Sequence, residues 1–145
     1  YKIFVAGNHD DCLYGEQIEG LPDNCHYLCN SGVEIENVKF WGVPLFMEDT
    51  LTDGRTEQIM EQIPKDTNVL ITHCPAFGIL DFDGNINYGC RDLLNAVERI
   101  NPRYHLFGHI HNANGIKKIN QTTFVNSSIM NGKYEFTNKP TLLEI

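Results

Sequence analysis

The sequence has no long hydrophobic run and no concentration of positive charge. None of its apolar runs approaches the roughly 18 residues that a membrane-spanning helix needs. It contains 11 Lys and Arg against 19 Asp and Glu, which gives a formal net charge of -8 at pH 7. Proteins bind the phosphate backbone of nucleic acids through clusters of Lys and Arg side chains, so this composition argues against nucleic-acid binding. We therefore expect a soluble protein whose partner is neither a membrane nor a nucleic acid.

Cysteine is present, but its number does not suit a disulfide framework. The count is odd, and the residues lie mostly in or beside apolar runs: Cys12, Cys25, Cys29, Cys74 and Cys90. Free cysteine behaves as a small hydrophobic residue in such positions. Because reduced thiols are typical of intracellular proteins, we expect a cytoplasmic location.

Short β-rich segments alternate with helical segments along the whole chain. Strands are predicted over residues 2–6, 25–29, 33–36, 38–43, 68–72, 103–107, 115–119, 122–125 and 141–145. The third and fourth of these flank Asn37 and predict a hairpin. Since the 145 residues contain no internal repeat or linker-like segment, we predict a single domain over residues 1–145.

Two segments have the apolar periodicity of amphipathic helices. The first covers residues 55–63, with Thr52 or Asp53 as its cap and Pro64 beyond its end. The second covers residues 91–100. Strands that alternate with helices in this way predict a layered α/β fold.

Three of the predicted strands end in polar side chains that suit metal binding. K-I-F-V-A is followed by G-N-H-D with Asn8 and His9, N-V-L-I-T by His73, and R-Y-H-L-F by G-H-I-H with His109 and His111. Because ligands of α/β sheets bind beyond the carboxyl ends of the strands, we expect these side chains to converge on one crevice. Imidazole nitrogens together with an amide oxygen suit Mn, Fe or Zn better than Ca.

Each of these motifs also has an ordinary structural explanation. G-N-H-D alone is more often a turn than a site, because Gly, Asn and Asp are common turn residues. Two histidines at i and i+2 of a strand face the same way, which is a stronger signal. Gly7 and Gly108 would let the backbone turn sharply as each strand delivers its side chains. The coincidence of three motifs at strand ends favours a site.

In these motifs the chain resembles the calcineurin-like metallophosphoesterases, whose pattern is D-x-H, G-D, G-N-H-[DE], H and G-H-x-H. The last three elements are present as G-N-H-D, T-H-C-P and G-H-I-H. Longer stretches are similar to the branch of metallophosphoesterase-domain-containing proteins: FWGVPLF, ITHCPAFGILD, YGCRDLLNAVERINPRYHLFGHIHNANG and TTFVNSS. The resemblance implies an α/β/β/α metallophosphoesterase sandwich, here represented by its C-terminal part without the N-terminal strands and helix.

The resemblance implies a role for each of the converging side chains. Asn8, His73 and His109 would ligate one divalent metal ion, and His111 would ligate a second. His9 would be the catalytic general acid that protonates the leaving alkoxide, or it would stabilise charge on the phosphoryl oxygens. The two ions, which would be Mn, Fe, Zn or Mg, would serve a phosphodiesterase that hydrolyses a small phosphate ester or a nucleotide.

Two elements of the family pattern, D-x-H and G-D, would precede Tyr1. The resemblance therefore implies that residues 1–145 alone are an incomplete enzyme, either as part of a longer chain or as a shortened one. A non-catalytic nucleotide- or metal-binding module is the alternative function. A structural zinc domain is a third, and the spacing of Cys25 and Cys29 without a second cysteine pair argues against it.

The remaining histidines and Cys74 have structural explanations. His26 and His105 lie inside predicted strands, which favours ordinary core or surface positions over ligand roles. Cys74 would point away from the crevice, because adjacent side chains of a strand face opposite ways.

Four other side chains are assigned to the neighbourhood of the crevice. Asp10 is expected to hold the G-N-H loop without being a ligand. Phe46 and Phe77 fall in loops nearby and are candidates for stacking on a nucleobase. Asn126, which ends a strand, is a candidate for lining the site.

Overall fold

The computed structural model describes residues 1–13, 16–45 and 56–145, which form two β-sheets with helices between their strands. The strands are β1 (Lys2–Phe4), β2 (Cys25–Tyr27), β3 (Ser31–Ile35), β4 (Val38–Val43), β5 (Val69–Thr72), β6 (Tyr104–Phe107), β7 (Gly115–Ile119) and β8 (Thr122–Asn126). The helices are α1 (Glu57–Glu61) and α2 (Arg91–Ile100), with single 3-10 turns at Asp11–Leu13 and His111–Ala113. Within these described ranges, neither α-helix has the length and apolar character that crossing a bilayer requires.

The larger sheet contains six strands in the order β3-β4-β5-β6-β8-β7. Its inner strands β4, β5, β6 and β8 are parallel, and the outer strands β3 and β7 are antiparallel to their neighbours. The predicted α/β fold class is confirmed. Because β5 and β6 are parallel neighbours, their carboxyl ends open side by side at one edge of the sheet.

The smaller sheet contains β1 and β2, which pair in parallel. Thus β1 is not a neighbour of β5 in one sheet, and only two of the three strand exits lie side by side. The two sheets meet at Gly42 of β4, which faces Leu28 and Val5. A Cβ atom at residue 42 would lie only 2.8 Å from Val5 Cγ1, so the missing side chain lets the sheets approach closely.

Helix α2 covers the predicted residues and packs its apolar face on the larger sheet. The buried members of that face are Leu93, Ala96, Val97 and Ile100. The Cys90 Sγ accepts a hydrogen bond from the Leu93 N–H at the start of the helix. Asn101 ends the helix in the left-handed conformation, with φ 56°, a common helix terminator.

The first helix begins later than predicted. It starts at Glu57 rather than at residue 55, and the predicted caps Thr52 and Asp53 lie outside the described residues, as does Arg55. Thr56 precedes the helix instead. Its Oγ1–H and N–H both donate to Asp92 Oδ2, at 2.9 and 3.1 Å, so this helix end is fixed by α2.

The predicted hairpin is confirmed, and the predicted C-terminal strand is wrong. Glu36 and Asn37 join β3 to β4 with φ 51° and 67°, the positive values that a two-residue hairpin turn requires. Residues 141–145 form no strand. Both flanks of β6 are already paired with β5 and β8, so the Glu144 carbonyl accepts hydrogen bonds from the Arg103 and Tyr104 side chains instead.

His105 of β6 is a core residue, as its place within a strand predicted. It is fully buried, and its Nε2–H donates to Thr72 Oγ1 at 2.9 Å. Thr72 in turn donates to the Cys74 carbonyl at 2.6 Å. The Nδ1 atom has no hydrogen-bond partner among the described residues. Burial lowers the pKa of His105 to about 3, because protonation would place an unpaired charge in the core.

We predict that the free energy of unfolding falls as the pH decreases from about 6.5 towards 3, in part because of His105. The unfolded chain binds a proton at the ordinary pKa of histidine, whereas the folded chain resists it down to about pH 3. Since the unfolded state binds more protons in this window, stability rises with pH by up to about 1.4 kcal/mol per unit. Urea denaturation at several pH values measures the slope.

The variant His105→Leu should reduce that slope by up to about 1.4 kcal/mol per pH unit, which corresponds to one proton fewer bound on unfolding. Thr72→Val is the matched control, because it removes the same hydrogen bond and leaves the titrating ring in place. If the slope is the same in His105→Leu and in the unmodified protein, His105 is not the group responsible.

Candidate metal centre

The five side chains singled out in the sequence all lie on the wall of one cleft. Asn8 and His9 follow β1, His73 follows β5, and His109 and His111 follow β6. The cleft has a volume of about 630 Å³. The structure thus brings together every predicted ligand and the predicted acid, although β1 reaches the cleft from the smaller sheet.

Asn8, His73 and His109 form the centre of this arrangement. The His73 Nε2–H donates to Asn8 Oδ1 at 2.7 Å, since an amide oxygen can only accept. The rings of His73 and His109 lie 4.7 Å apart between centroids, in an edge-to-face arrangement. Coordination through His73 Nε2 requires the other tautomer of the ring, in which the proton is on Nδ1.

Burial keeps both of these imidazoles neutral. It lowers the pKa of His73 to about 4, with the proximity of His109 as the next cause. Burial also lowers the pKa of His109, and the nearby His111 and His9 add to that effect. Metal ions bind the neutral form of imidazole, so neither ring needs to lose a proton to solvent at neutral pH. This donor set fits Zn, Fe or Mn.

Cys74 lies closer to this centre than the sequence predicted. The Sγ atom and the ring nitrogens of His73 and His109 all lie within 4.8 Å of one another, and Cys74 is fully buried. The strand β5 ends at Thr72, so the alternation of side chains does not extend to residue 74. Even so, Cys74 belongs to the hydrophobic core and is not among the residues that line the cleft, which agrees with the prediction that it points away from the crevice. A thiolate there would be a soft ligand that favours Zn over Mg.

Asp10 holds the G-N-H-D turn, as expected. The Gly7 N–H donates to Asp10 Oδ2 at 2.8 Å, and the Asp10 N–H donates to the Gly7 carbonyl at 2.9 Å. This reciprocal pair fixes the turn that presents Asn8 and His9 to the cleft.

Gly7 and Gly108 act differently from the prediction, because neither has a positive φ. At Gly7 a Cβ atom would lie 2.8 Å from Cε1 and 2.9 Å from Nδ1 of His73, so glycine is needed for close approach. At Gly108 a Cβ atom would meet only Ser128 Oγ, at 3.6 Å. His109 itself takes the left-handed conformation, with φ 67°, which is uncommon for a residue other than glycine.

His111 is oriented by the loop that follows β8. It begins the 3-10 turn His111–Ala113, and its Nδ1–H donates to the Asn131 carbonyl at 3.1 Å. The Nε2 atom then carries the lone pair. Metal-binding histidines in proteins have this arrangement, in which the second ring nitrogen donates to a carbonyl or a carboxylate.

One wall of the cleft carries no signal that the sequence analysis used. It consists of loop residues: Asp83, Tyr88, Met130, Gly132 and Tyr134. These side chains follow no apolar strand and share no periodicity. A search for polar residues at strand ends therefore misses them.

Two residues assigned to the neighbourhood of the crevice, Asn126 and Phe77, do not line it. Asn126 is fully buried, and its amide donates to the Ile110 carbonyl at 2.9 Å, so it supports the cleft from behind. Phe77 packs beneath the Arg91 guanidinium, whose Cζ lies 3.8 Å from the centroid of the Phe77 ring. Phe46 lies outside the described residues.

Comparisons with known proteins find a matching family and several relatives. The model of the family described as calcineurin-like phosphoesterase matches residues 1–113. A UPF0046 protein of Caenorhabditis elegans is 38% identical, over the whole of this chain and 57% of its own length. Metallophosphoesterase domain-containing protein 1 of Homo sapiens is 31% identical, over the whole of this chain and 55% of its own length. The chain thus spans just over half the length of these relatives.

A solved structure that is 18% identical has a TM-score of 0.56 and covers 72% of this chain and 46% of its own. At this identity the likeness concerns the fold alone.

We predict that Gly7→Ala weakens binding of Zn or Mn by about tenfold or more, the range seen when the support of a metal ligand is disturbed. The added methyl group must displace the His73 ring and break its contact with Asn8. Titration calorimetry at neutral pH measures the affinity, and circular dichroism checks the fold.

Gly108→Ala is the matched control, because it adds the same methyl group where only an ordinary contact results. Its affinity should stay close to that of the unmodified protein. If the two variants bind metal equally well, the His73 ring is not a ligand.

Proposed function

The chain belongs to the calcineurin-like phosphoesterase family, and we propose that it provides the site of a metal-dependent phosphodiesterase that acts on small phosphate esters or nucleotides. The observation that carries this proposal is the convergence of Asn8, His73 and His109 on one cleft with both imidazoles neutral. The proposal concerns the full-length protein, because the chain spans only part of the length of its relatives.

In this proposal Asn8, His73 and His109 hold one divalent ion, and His111 holds a second. The ions are Mn, Fe, Zn or Mg, and when bound they lower the pKa of a water and neutralise charge on the phosphoryl group. The side chains are held in place by the protein itself. The Asn8 oxygen lies 2.7 Å from His73 Nε2, so both atoms can face one ion, and the Asn131 carbonyl positions His111.

His9 is the proposed general acid. It follows Asn8 in the same turn, is exposed and lines the cleft, so its ring can reach a leaving oxygen that departs towards solvent. Histidine is suited to proton transfer near neutral pH. Asp10 fixes the backbone of this turn and leaves the His9 ring free of that task.

A non-catalytic metal- or nucleotide-binding module is the second candidate, and the nearby carboxylates favour it. Each of the three carboxylates accepts hydrogen bonds from backbone N–H groups. The donors are Gly7 for Asp10, Gly78 and Gly89 for Asp81, and Asn85 and Ile86 for Asp83. One oxygen of each carboxylate is thus engaged in fixing a turn, which favours a structural role over bridging two ions. Metal binding without turnover by the full-length protein would identify such a module.

We predict that His109→Ala in the full-length protein lowers hydrolysis of bis(4-nitrophenyl) phosphate by well over about tenfold, because the first ion loses a ligand. The fold should survive, since His109 is only partly buried. The assay uses saturating manganese. His26→Ala, in β2 of the smaller sheet, is the control. Unchanged turnover in His109→Ala would refute the ligand role.

We predict that His9→Asn impairs hydrolysis of an alkyl ester far more than that of a nitrophenyl ester. A general acid matters only when the departing oxygen is basic, and its loss typically costs about 10²–10⁴-fold. Metal content should change little, because Asn8 rather than His9 is the proposed ligand. An equal loss on both esters would exclude the acid role.

A further inference from the structure

Tyr134 lies on the wall of the cleft beside His111. The two rings are 5.1 Å apart between centroids, at an angle of 80°. The Tyr134 side chain is nevertheless 68% exposed, so most of its ring is open to a ligand. An exposed aromatic ring next to a metal-binding histidine is well placed to contact the organic part of a phosphate ester.

The backbone of Tyr134 is in a conformation that a large aromatic residue rarely adopts. Its φ is 62°, in the left-handed region. The Tyr134 N–H donates to the Asn131 carbonyl at 2.9 Å, and Asn131 Oδ1 accepts from the N–H groups of Lys133 and Glu135. Strained positions of this kind cluster at ligand-binding sites.

The loop that carries Tyr134 is tied directly to the G-H-I-H segment. The Gly132 N–H donates to Asn112 Oδ1 at 3.1 Å, and a side chain on Gly132 would collide with Asn112. The Asn131 carbonyl accepts the His111 Nδ1–H. These bonds hold the backbone that carries Tyr134 against the proposed ligand of the second ion.

We propose that Tyr134 is a substrate-binding residue that packs against the nucleobase of a nucleotide ester. This inference rests on the proposed function, since it names the substrate class of the same site. A tyrosine ring offers a flat apolar face on which any base can stack. Tyr88 and Met130 line the same cleft and add aromatic and thioether surface that suits such a group.

Two esters with the same leaving group test this inference. Thymidine 5′-(4-nitrophenyl phosphate) carries a base, and methyl 4-nitrophenyl phosphate carries none. Because the same bond breaks in both, the ratio of their kcat/KM values isolates the contribution of the nucleoside. The full-length protein is assayed with manganese.

Tyr134→Ala should lower kcat/KM for the thymidine ester, mainly through KM, by at least about fivefold more than it lowers kcat/KM for the methyl ester. Tyr134→Asn should have the same effect as Tyr134→Ala. Because Asn tolerates the left-handed conformation, this variant removes the ring without changing the backbone conformation at residue 134. Tyr134→Phe should retain both activities. Phe136→Ala removes an exposed aromatic ring two residues away and is the control.

The possible failures are distinguishable. Hydrolysis of both esters with an unchanged ratio in Tyr134→Ala would overturn the inference and leave the proposed function intact. If the unmodified protein hydrolyses neither ester, the proposed function fails, and binding of thymidine monophosphate by calorimetry then decides the inference alone. Weakening of that binding by at least about fivefold in Tyr134→Ala supports it. Equal affinity, or no binding by the unmodified protein, overturns it.

Discussion

The contact between the turn after β1 and the ring of His73 is the interaction on which the site depends. Asn8 Oδ1 accepts a hydrogen bond from the His73 ring, and the absence of a side chain on Gly7 leaves room for that ring. Asn8 and His73 follow strands of different sheets, and Gly42 is one place where the missing side chain lets these sheets approach closely. Packing between the sheets and geometry of the site are therefore coupled, and a change that separates the sheets also separates the proposed ligands.

Burial of histidine serves both the core and the site. Burial lowers the pKa of His73 and keeps its ring in the form that binds metal ions. His105 is buried more deeply, and its hydrogen bond to Thr72 continues to the Cys74 carbonyl. This chain of hydrogen bonds fixes the bend after β5, from which His73 projects. A fully buried histidine thus helps to orient one that lines the cleft.

The sequence predicts best those features that depend on local patterns. Helix α2 has regular apolar spacing, and its boundaries were predicted correctly. Sheet membership of β1 was not predictable, because it depends on contacts with Leu28 and Gly42 that lie far apart in the chain. Residues 141–145 have the composition of a strand, but both flanks of β6 are occupied.

Within the site, the histidines at strand ends could be predicted from the sequence, because they follow apolar runs. The loop with Gly132 and Tyr134 gave none, since its residues are fixed by hydrogen bonds to Asn112 and His111 that no spacing encodes. Cys74 faces the core as predicted, but its closeness to the two rings was not predictable, because β5 ends two residues before it.

Anomalous diffraction from crystals of the full-length protein soaked with zinc tests the central claim most directly. The account predicts an anomalous peak between Asn8 Oδ1 and the rings of His73 and His109, about 2.0–2.1 Å from a nitrogen of each ring. A zinc ion bound elsewhere, with the hydrogen bond between Asn8 and His73 still intact, would contradict it.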